Sequence, residues 1–426
     1  MGNEHYPLTA ELWPNMDLSN VISTGSMVCW GQLTGTPVGL VAALDRALPA
    51  IGSCSAFIGM TVDNGIQAEH LQYIRFLSFA GAGSNRRYLE NGSAEIIPMH
   101  LGEVPTFIRS NRIKIDVMLV AVTHHEEEDR VSTGVMTDFL PSVLEHDPIV
   151  IGERIAGLPW TFGDTQIPKS KFTSLVDLNS RVIKVPSRPE QPAETRIAQQ
   201  IVERIPNGAT LQFGIGGVPD AVLRGLANHK DIGIHTGILT EPAQALIESG
   251  VVTNRLKGID EGQTITAYLA GTQPFYDFCD HHPALQVKQL EYTHNPSTLI
   301  KIRHLISINS AFEVDLTGQV NAETVGGKYL GQVGGQVDFI RGAFASAGGF
   351  SIIGLASTDR RETLSRIVPA LSDGTVTSLR TDVDLVVTEY GVARLRGRSI
   401  GERIDAMINI SHPKFRDQLR HASRRL

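Results

Sequence analysis

Short apolar runs of strand length alternate with stretches in which apolar residues recur at helical spacing. Apolar residues keep helical spacing from Ile197 to Ile205, and Pro206-Asn207-Gly208 ends that helix. "TLQFGIGG" (210–217) then predicts a strand and a glycine turn, "PDAVLRGLAN" (219–228) a helix, and "DIGIHT" (231–236) the next strand. This succession predicts a β-α-β unit, the building block of α/β folds.

The first half of the chain has a similar but less regular pattern. Apolar runs at 38–50, 94–101 and 114–122 are separated by glycine-rich turns, including "GAGSNRR" at 81–87. This pattern is typical of a sheet with helices on its faces.

A proline-rich segment, "VPSRPEQPAE" at 185–194, separates the two halves. We therefore predict two α/β domains with mixed or parallel sheets, one at 1–185 and the other at 186–426. The strand that begins at Gly233 is expected to end at Thr236, and a helix is expected to open near Pro242.

Composition narrows the class of protein. The 426 residues are 42% hydrophobic and 19% charged, and the apolar runs are too short to span a membrane. With no signal peptide recognised, a cytoplasmic protein is expected. The three cysteines lack CxxC pairing, which favours buried thiols. A net charge of −7 without a long basic cluster argues against a nucleic-acid partner but leaves small anionic metabolites open.

The turn "FGIGGVPD" at 213–220 places Gly214, Gly216 and Gly217 between a strand and a helix. A GxGxxG dinucleotide motif fails there, because Pro219 occupies its sixth position. What remains is a run of backbone N–H groups at a helix N-terminus, suited to a phosphate or a developing oxyanion. A tight structural turn is the alternative at this stage.

A second glycine-rich stretch, "GGKYLGQVGGQVDFIRGA" at 326–343, contains Lys328, Gly334, Gly335 and Gln336. Together with the first turn it is suited to cradling a long, phosphate-bearing ligand. Two ordinary hairpin or crossover turns would have the same composition.

Other polar residues are assigned structural roles. "THHEEEDR" at 123–130 has side chains that could bind a metal, but it lacks HExxH spacing and is interpreted as a solvated loop. His281-His282 is interpreted as a polar connection, and no metal site is predicted. Asp315, Asp338 and Glu389 stand beside apolar runs, so some of them are expected to be buried partners of backbone amides or arginines rather than catalysts.

With these motifs in view, the sequence resembles the acetyl-CoA hydrolase/transferase family, and within the class I CoA-transferases the 4-hydroxybutyrate CoA-transferase group. The blocks that carry the resemblance span roughly 210–420 and include "TLQFGIGGVPDAVL", "INSAFEVDLTGQV", "GQVGGQVDFIRGA" and "VTEYGVARLRGRS". The first half matches more thinly, through "GTPVGLVAAL" and "IIPMHLGEVPTFIR".

The resemblance implies an active site between two α/β domains and a ping-pong reaction through a glutamyl-CoA thioester. It implies that the amides of Gly217 and Val218 form an oxyanion hole and that the "GQVGGQVDF" loop at 331–339, with Lys328, helps to hold CoA. Coenzyme A would be a substrate, with no tightly bound cofactor. A homodimer or homotetramer is expected, with acyl-CoA and small carboxylic acids as partners.

One position departs from the family pattern. The nucleophilic glutamate should follow His235-Thr236, but Gly237 stands there. Either another carboxylate has taken over, or an activated water hydrolyses the thioester, or the protein binds acyl-CoA without turning it over. Glu241, one helical turn further on, and Glu69 are the candidate carboxylates; their alternative roles are a helix-terminal acid and an exposed loop charge.

"HTG" together with "MVCWGQLTGTP" resembles a subgroup of bacterial CoA-transferases associated with itaconate degradation. A dicarboxylate of this kind needs a basic residue for its second carboxylate, and Arg86 or Arg87 is the candidate; a surface charge is the alternative. The leading hypothesis is transfer of CoA between a short acyl-CoA and a small acid such as itaconate or 4-hydroxybutyrate. A thioesterase and a non-catalytic acyl-CoA-binding protein are the other two hypotheses.

Overall fold

The structure, a computed structural model, describes residues 17–61, 65–127 and 129–424. These residues form two compact units. Unit 1 contains the described residues up to Met99, together with Glu103–Val185 and Ala267–Leu290. Unit 2 contains His100–Gly102, Pro186–Thr266 and the described residues from Glu291 onward.

The elements that precede the proline-rich segment are mostly short strands and helices. In chain order they are β1 Met27–Trp30, α1 Val38–Ile51, β2 Cys54–Ile58, β3 Ile74–Ser78, α2 Asn85–Glu90, β4 Ala94–Ile96, α3 Val104–Arg109, β5 Val117–Thr123, β6 Glu126–Glu127, β7 Arg130–Ser132, α4 Leu140–Leu144, β8 Ile149–Ala156, β9 Phe162–Gly163, β10 Gln166–Pro168 and β11 Ser174–Arg181.

The elements that follow are α5 Pro192–Val202, β12 Thr210–Phe213, α6 Gly217–Gly225, β13 Gly233–Thr240, α7 Pro242–Glu248, β14 Thr264–Ala270, α8 Gln273–Cys279, β15 Leu285–Val287, α9 Leu290–Thr293, α10 Pro296–Leu299, β16 Leu305–Ser310, β17 Glu313–Asp315, β18 Val320–Asn321, β19 Thr324–Val325, β20 Lys328–Tyr329, α11 Gln336–Ala345, β21 Phe350–Gly354, β22 Ile367–Val368, β23 Leu385–Thr388, β24 Gly391–Arg394, α12 Ile400–Ile410 and α13 Arg416–Ser423.

Unit 1 is built on a seven-stranded sheet in the order β11-β8-β5-β1-β2-β3-β4, whose neighbouring strands are all parallel. β5, near the centre, is buried along its whole length, as expected for an apolar run in a parallel sheet covered on both faces. α1 buries Leu40, Leu44 and Leu48, which recur every four residues, and it ends at Gly52, whose φ of +84° suits glycine.

Unit 2 contains six neighbouring strands in the order β24-β23-β21-β16-β12-β13, parallel except for the β23–β24 hairpin. β12 lies between β16 and β13, and α6 connects β12 to its parallel neighbour β13. The predicted β-α-β unit is therefore confirmed, as is the α/β fold class. Two boundaries differ: β13 continues past Thr236 to Thr240, and α6 begins at Gly217 rather than at Pro219.

The three cysteines are free and buried, as predicted. Burial raises the pKa of the Cys54 thiol to about 11, so this thiol stays protonated at neutral pH. Within the described ranges, no helix is both long and apolar enough to span a bilayer.

Candidate active site

The carboxyl ends of β12 and β13 lie side by side in unit 2. Their register pairs Thr210 with Gly233 and Leu211 with Ile234. Beyond these pairs, the Thr236 hydroxyl donates to the carbonyl oxygen of Phe213 at 2.9 Å. This hydrogen bond fixes the last residue of β12 against β13, so the glycine turn that follows Phe213 starts next to Gly237. In parallel sheets, ligands bind at this edge.

The glycine turn leads directly into α6. Gly214 is partly buried, Ile215 is 48% exposed, and Gly216 has φ +133°, a conformation that glycine adopts readily. Gly217 and Val218 are buried in the first turn of α6. Backbone N–H groups in the first turn of a helix have no acceptor within the helix. A side chain at 217 would overlap the ends of Glu194 and Arg188.

Asp220, also in the first turn of α6, connects this turn to the end of β13. The Thr240 hydroxyl donates to Asp220 Oδ1 at 3.2 Å. Burial raises the pKa of the Asp220 carboxyl, and the hydrogen bond from Thr240 and the nearby Arg224 and Arg188 partly oppose this change. The sequence predicts Asp220 only as part of a helix at 219–228, whereas the structure adds this hydrogen bond across the site.

Gly237 lies in β13 where the strand becomes accessible. Residues 233–236 are buried, while Gly237 and Ile238 are partly exposed. A Cβ atom at 237 would lie 3.1 Å from Nε2 of His294 and 3.6 Å from Phe339 Cε2. The imidazole of His294 therefore lies next to the place where a side chain at 237 would begin.

His294 is a fully buried, neutral histidine. Its side chain packs on Phe339, with ring centroids 4.7 Å apart, and its Nδ1 lies 2.8 Å from the Thr293 hydroxyl. Burial lowers the pKa of His294 to about 3. Because protonation at neutral pH would cost about 5 kcal/mol, His294 is suited to donating or accepting a hydrogen bond as a neutral ring and poorly suited to carrying a proton.

Two further buried bases support β13 from within the unit. Nε2 of His235 lies 3.0 Å from the carbonyl of Thr293, and burial, reinforced by Lys257, lowers the pKa of His235 to about 3. Lys257 Nζ donates to the carbonyls of Ile234 at 2.9 Å and Gln263 at 2.6 Å, and burial lowers its pKa to about 7. These hydrogen bonds fix the strand that carries Gly237.

The second glycine-rich stretch forms a hairpin and then the start of α11. Lys328 is exposed in β20, after Gly326 and Gly327, which both have positive φ. The Gly334 carbonyl accepts from the amide of Leu101 at 3.0 Å. Gly335 precedes α11, and a side chain there would overlap the His294 ring. Gln336 is buried and donates to the Ser378 hydroxyl at 2.9 Å.

Comparison with known proteins identifies the family of this chain. Residues 271–423 match the acetyl-CoA hydrolase/transferase C-terminal domain. The chain is 36% identical to the 4-hydroxybutyrate coenzyme A transferase of Clostridium kluyveri over 93% of this chain and 94% of that protein. The chain belongs to the acetyl-CoA hydrolase/transferase family.

Solved structures agree with this assignment. RipA from Yersinia pestis matches with a TM-score of 0.91 and 31% identity, over 98% of this chain and 97% of RipA. The 4-hydroxybutyrate CoA-transferase of Porphyromonas gingivalis matches with a TM-score of 0.81 and 33% identity, over 96% of this chain and 95% of the other. Most of the named relatives are CoA-transferases, and others are named acetyl-CoA hydrolases. The predicted family and the predicted enzyme class, an acyl-CoA:carboxylate CoA-transferase, are confirmed.

For this family member, the structure brings two glycine positions together with His294, a residue that sequence reasoning missed. Gly237 and Gly335 both face His294, and Gly214 follows the strand that Thr236 fixes. His294 stands in "YTHNP", where it carries no motif; the only local signal is the Asn295-Pro296 helix start that follows it.

The two candidate carboxylates lie in different units. Glu241 is the partly buried N-cap of α7, four residues after Gly237 in unit 2. Glu69 is exposed in a short 3-10 helix of unit 1. The roles predicted for both stay predictions.

The two candidate arginines lie in α2 of unit 1. Arg86 is exposed and pairs with Glu90 at 3.2 Å, one turn further on. Arg87 donates to the carbonyl of Ile66 and to the Tyr88 hydroxyl. In this structure Arg87 is thus held by its own unit, whereas Arg86 has the surface pairing considered as its alternative.

The solvated loop predicted at 123–130 is wrong in part, because Glu126–Glu127 form β6 and pair with β7. The three acids considered as partners of backbone amides do accept such hydrogen bonds. Asp315 accepts from the backbone amides of Thr317 and Gln319, both at 2.9 Å. Asp338 accepts from the amide of Gly102 at 3.2 Å, and Glu389 from the amide of Ser357 at 2.9 Å.

Proposed function

We propose that this protein transfers CoA between a short acyl-CoA, such as succinyl-CoA or butyryl-CoA, and a small carboxylic acid such as itaconate or 4-hydroxybutyrate. The reaction would take place in unit 2, at the carboxyl ends of β12 and β13. Relatives with this kind of activity in their names, and the glycine turn at the start of α6, support the proposal. The predicted homo-oligomer belongs to the same proposal.

The observation that carries the proposal in detail is the pairing of Gly237 with His294. Glycine offers no carboxylate, so a glutamyl thioester cannot form at 237, and the imidazole already lies 3.1 Å from the Cβ position of any replacement. We infer that the acceptor acid itself supplies the attacking carboxylate. Both substrates would then be bound at the same time, instead of reacting in turn with the enzyme.

The direct reaction balances without another reagent. An oxygen of the acceptor carboxylate attacks the thioester carbonyl carbon, the C–S bond breaks, and CoA leaves as the thiolate. The thiolate then attacks the acceptor's carbonyl carbon in the mixed anhydride, and the donor acid leaves as a carboxylate. One thioester and one carboxylate enter, and one of each leaves.

The residues present match the charges that develop in this sequence. The amides of Gly217 and Val218 would stabilise the oxyanion at the start of α6, with Gly214 and Gly216 allowing the close approach of the backbone. Neutral His294, with its proton on Nε2, would donate to the acceptor carboxylate. The hairpin with Lys328 and the 334–336 turn would hold CoA. With its pKa of about 3, His294 is a weak base for activating water, which favours transfer over hydrolysis.

The first experiment is an initial-rate study in which butyryl-CoA or succinyl-CoA is varied against itaconate, 4-hydroxybutyrate and acetate. Acyl-CoA products are separated chromatographically and free thiol is measured in parallel. We expect acceptor-dependent transfer with intersecting double-reciprocal lines, the pattern of a ternary complex. Thiol release that is independent of acceptor would identify a hydrolase, and no reaction with any pair would favour a binding protein.

Variants then test the direct step. His294→Ala should lower kcat/KM for transfer about 100-fold, by loss of a hydrogen-bond donor at the reacting carboxylate. The matched control is His229→Gln, a partly buried histidine of the same unit whose Nε2 lies 2.9 Å from the Ile205 carbonyl. Equal losses for both variants would assign His294 a structural role only.

Borohydride separates direct transfer from a covalent mechanism, because it reduces an enzyme thioester. Wild type should keep its activity when treated in the presence of acyl-CoA. Gly237→Glu combined with His294→Ala, which makes room for the new side chain, should become sensitive to it. If wild type is inactivated, the labelled peptide will show whether Glu241 or Glu69 acts as nucleophile, and the direct mechanism is wrong while transfer stands.

A further inference from the structure

Two polar motifs that are far apart in the sequence lie together on the surface of unit 1. His125 and Glu127 come from "THHEEEDR", and His281 comes from the pair that follows α8. Their ligand atoms all lie within 4.8 Å of one another. Glu127 Oε1 is 2.9 Å from His281 Nε2 and 3.6 Å from His125 Nε2.

His281 is held in place independently of this cluster. Asp280 Oδ2 lies 2.9 Å from Nδ1 of His281, and Asp280 Oδ1 accepts from the Trp160 amide at 2.7 Å. The backbone amide of His281 donates to the Trp160 carbonyl at 2.8 Å, and the two rings stack with 12° between their planes. The carboxylate on Nδ1 leaves Nε2 directed at Glu127. A carboxylate behind a ligating histidine is a common outer shell of metal sites.

The other two residues are also positioned by the fold. Glu127 lies in β6, which pairs with β7. The His125 carbonyl accepts from the Thr123 hydroxyl at 2.8 Å, at the end of β5. The His125 ring packs edge-on against Trp160 and His281, with centroids 5.7 and 5.4 Å away. Trp160 is therefore the common wall for both imidazoles.

We propose that His125, Glu127 and His281 bind one divalent transition-metal ion of the zinc type. Two imidazoles and one carboxylate are a ligand set that zinc accepts in tetrahedral geometry, with the fourth position left to water. Ligand atoms in such a site are separated by about 3.3 Å, given metal–ligand bonds of about 2.0–2.1 Å. The distances of 2.9 and 3.6 Å fall on either side of this value.

The site would join the segment after β5 to the segment after α8, and it shares no residue with those proposed for CoA transfer. The three side chains are between 38% and 60% exposed, so water and metal reach them freely. The sequence offers no metal-binding spacing because Glu127 and His281 are 154 positions apart. Only the fold brings them together.

The test uses the full chain after treatment with a chelator that is then removed. Co²⁺ is titrated as a spectroscopic probe and displaced with Zn²⁺. We expect one Co²⁺ per chain, visible absorption bands of tetrahedral intensity, their loss on adding one equivalent of Zn²⁺, and a higher Tm with Zn²⁺.

Variants assign the ligands. His281→Ala and Glu127→Gln should lose the Co²⁺ bands. His124→Ala should keep them, because His124 neighbours His125 in sequence but lies 3.6 Å from Asp177 instead. Asp280→Asn should weaken Zn²⁺ binding about 10- to 100-fold while keeping the bands, because Asp280 only orients His281. No stoichiometric binding by wild type, or binding that persists in His281→Ala, would overturn the proposal and leave a hydrogen-bonded histidine–carboxylate pair.

Discussion

Each unit contains a strand, a turn and a helix near the middle of its sheet. The N-termini of these two helices, α1 in unit 1 and α6 in unit 2, differ in the groups that lie next to them. In unit 1, the amides of Gly39 and Leu40 at the start of α1 donate to Glu153, at 3.1 and 2.9 Å. Glu153 is fully buried in β8. In unit 2, α6 begins at a turn in which Ile215 and Gly216 are exposed. The N-terminus of α1 is thus occupied by the protein's own carboxylate, whereas the N-terminus of α6 is the one proposed to bind a ligand.

A carboxylate lies near the second helix start too, but its partners lie elsewhere. Glu194, beside Gly217, pairs with Arg188, with 3.0 Å between Nη1 and Oε2, and accepts from the amide of Gln191 at 2.9 Å. Burial alone would raise the pKa of Glu194, but Arg188 and the Gln191 amide bring it below its ordinary value. Burial raises the pKa of Glu153 despite its hydrogen bonds. The difference between the two carboxylates is therefore an arginine, because Arg188 pairs with Glu194 beside α6, whereas Glu153 accepts from the backbone amides of α1.

The strongest test of this difference is Gly217→Ala. The added methyl group would overlap Glu194 and Arg188, so the turn or the ion pair must move. We expect kcat/KM for CoA transfer to fall about 10²- to 10³-fold, the usual loss when one oxyanion donor is displaced.

The matched control for this variant is Gly401→Ala in α12, where a Cβ atom meets nothing within 4 Å. This change should leave transfer at the wild-type rate. If Gly217→Ala also stays within threefold of wild type, the turn is structural, as the sequence allowed.

Glu153→Gln tests the filled helix start. An amide can accept from only one of the two backbone N–H groups and presents a donor to the other, so we expect a loss of about 2–3 kcal/mol in the free energy of unfolding. Urea denaturation measures it. Glu145→Gln, which removes only an exposed pair with Arg109, should cost less than about 1 kcal/mol. Equal costs would mean that Glu153 does not stabilise α1.

Fold elements and site residues could be predicted where they are close together in the sequence, and not where they are far apart. β12, α6 and β13 are consecutive, and apolar spacing with the Pro206-Asn207-Gly208 stop was enough to predict them. Gly217 could be singled out because its turn adjoins a strand and a helix. His294 could not, because its place beside Gly237 depends on how α11 and Phe339 pack around it.

The sequence does contain a signal for Glu153, a carboxylate in the middle of the apolar run "IVIGERIA". A charge in a buried strand requires a partner, but the sequence does not tell which amides supply it. The cluster of His125, Glu127 and His281 shows the same limit, since neither motif is a metal site by itself.

Buried titratable groups predict that the stability of the two units depends on pH in opposite directions. The folded-state pKa of His235, about 3, lies below its ordinary 6.5, so the unfolded chain binds a proton that the folded one does not, and stability falls as pH drops below about 6.5. Asp138 in unit 1 accepts from Tyr268 at 2.6 Å and Gln32 at 3.0 Å, and burial raises its pKa to about 7. Its effect has the opposite sign, with stability rising as pH drops from 7 toward 3.8.

We expect each group to change the free energy of unfolding by about 2 kcal/mol between pH 7 and pH 5. Hydrogen exchange of peptides from β12 and β5, recorded at both pH values, separates the two units. His235→Gln should reduce the acid sensitivity of β12, and Asp138→Asn should remove the acid stabilisation of β5. A change of the same sign in both units would contradict the assignment.

The smallest expected effect comes from a variant in which a carboxylate of the protein can bind the N-terminus of α6, as Glu153 binds that of α1. Arg188→Leu removes the partner that holds Glu194, and the carboxylate, already beside Gly217, becomes available to the α6 amides as Glu153 is to those of α1. We expect KM for acyl-CoA to rise about tenfold, the value of one charge-assisted hydrogen bond to the helix start. Arg188→Leu combined with Glu194→Gln should restore most of the wild-type KM, because the neutral amide competes weakly with a ligand anion. If the double variant is as impaired as Arg188→Leu, Arg188 contacts the ligand itself. The loss would then not come from Glu194 occupying the N-terminus of α6.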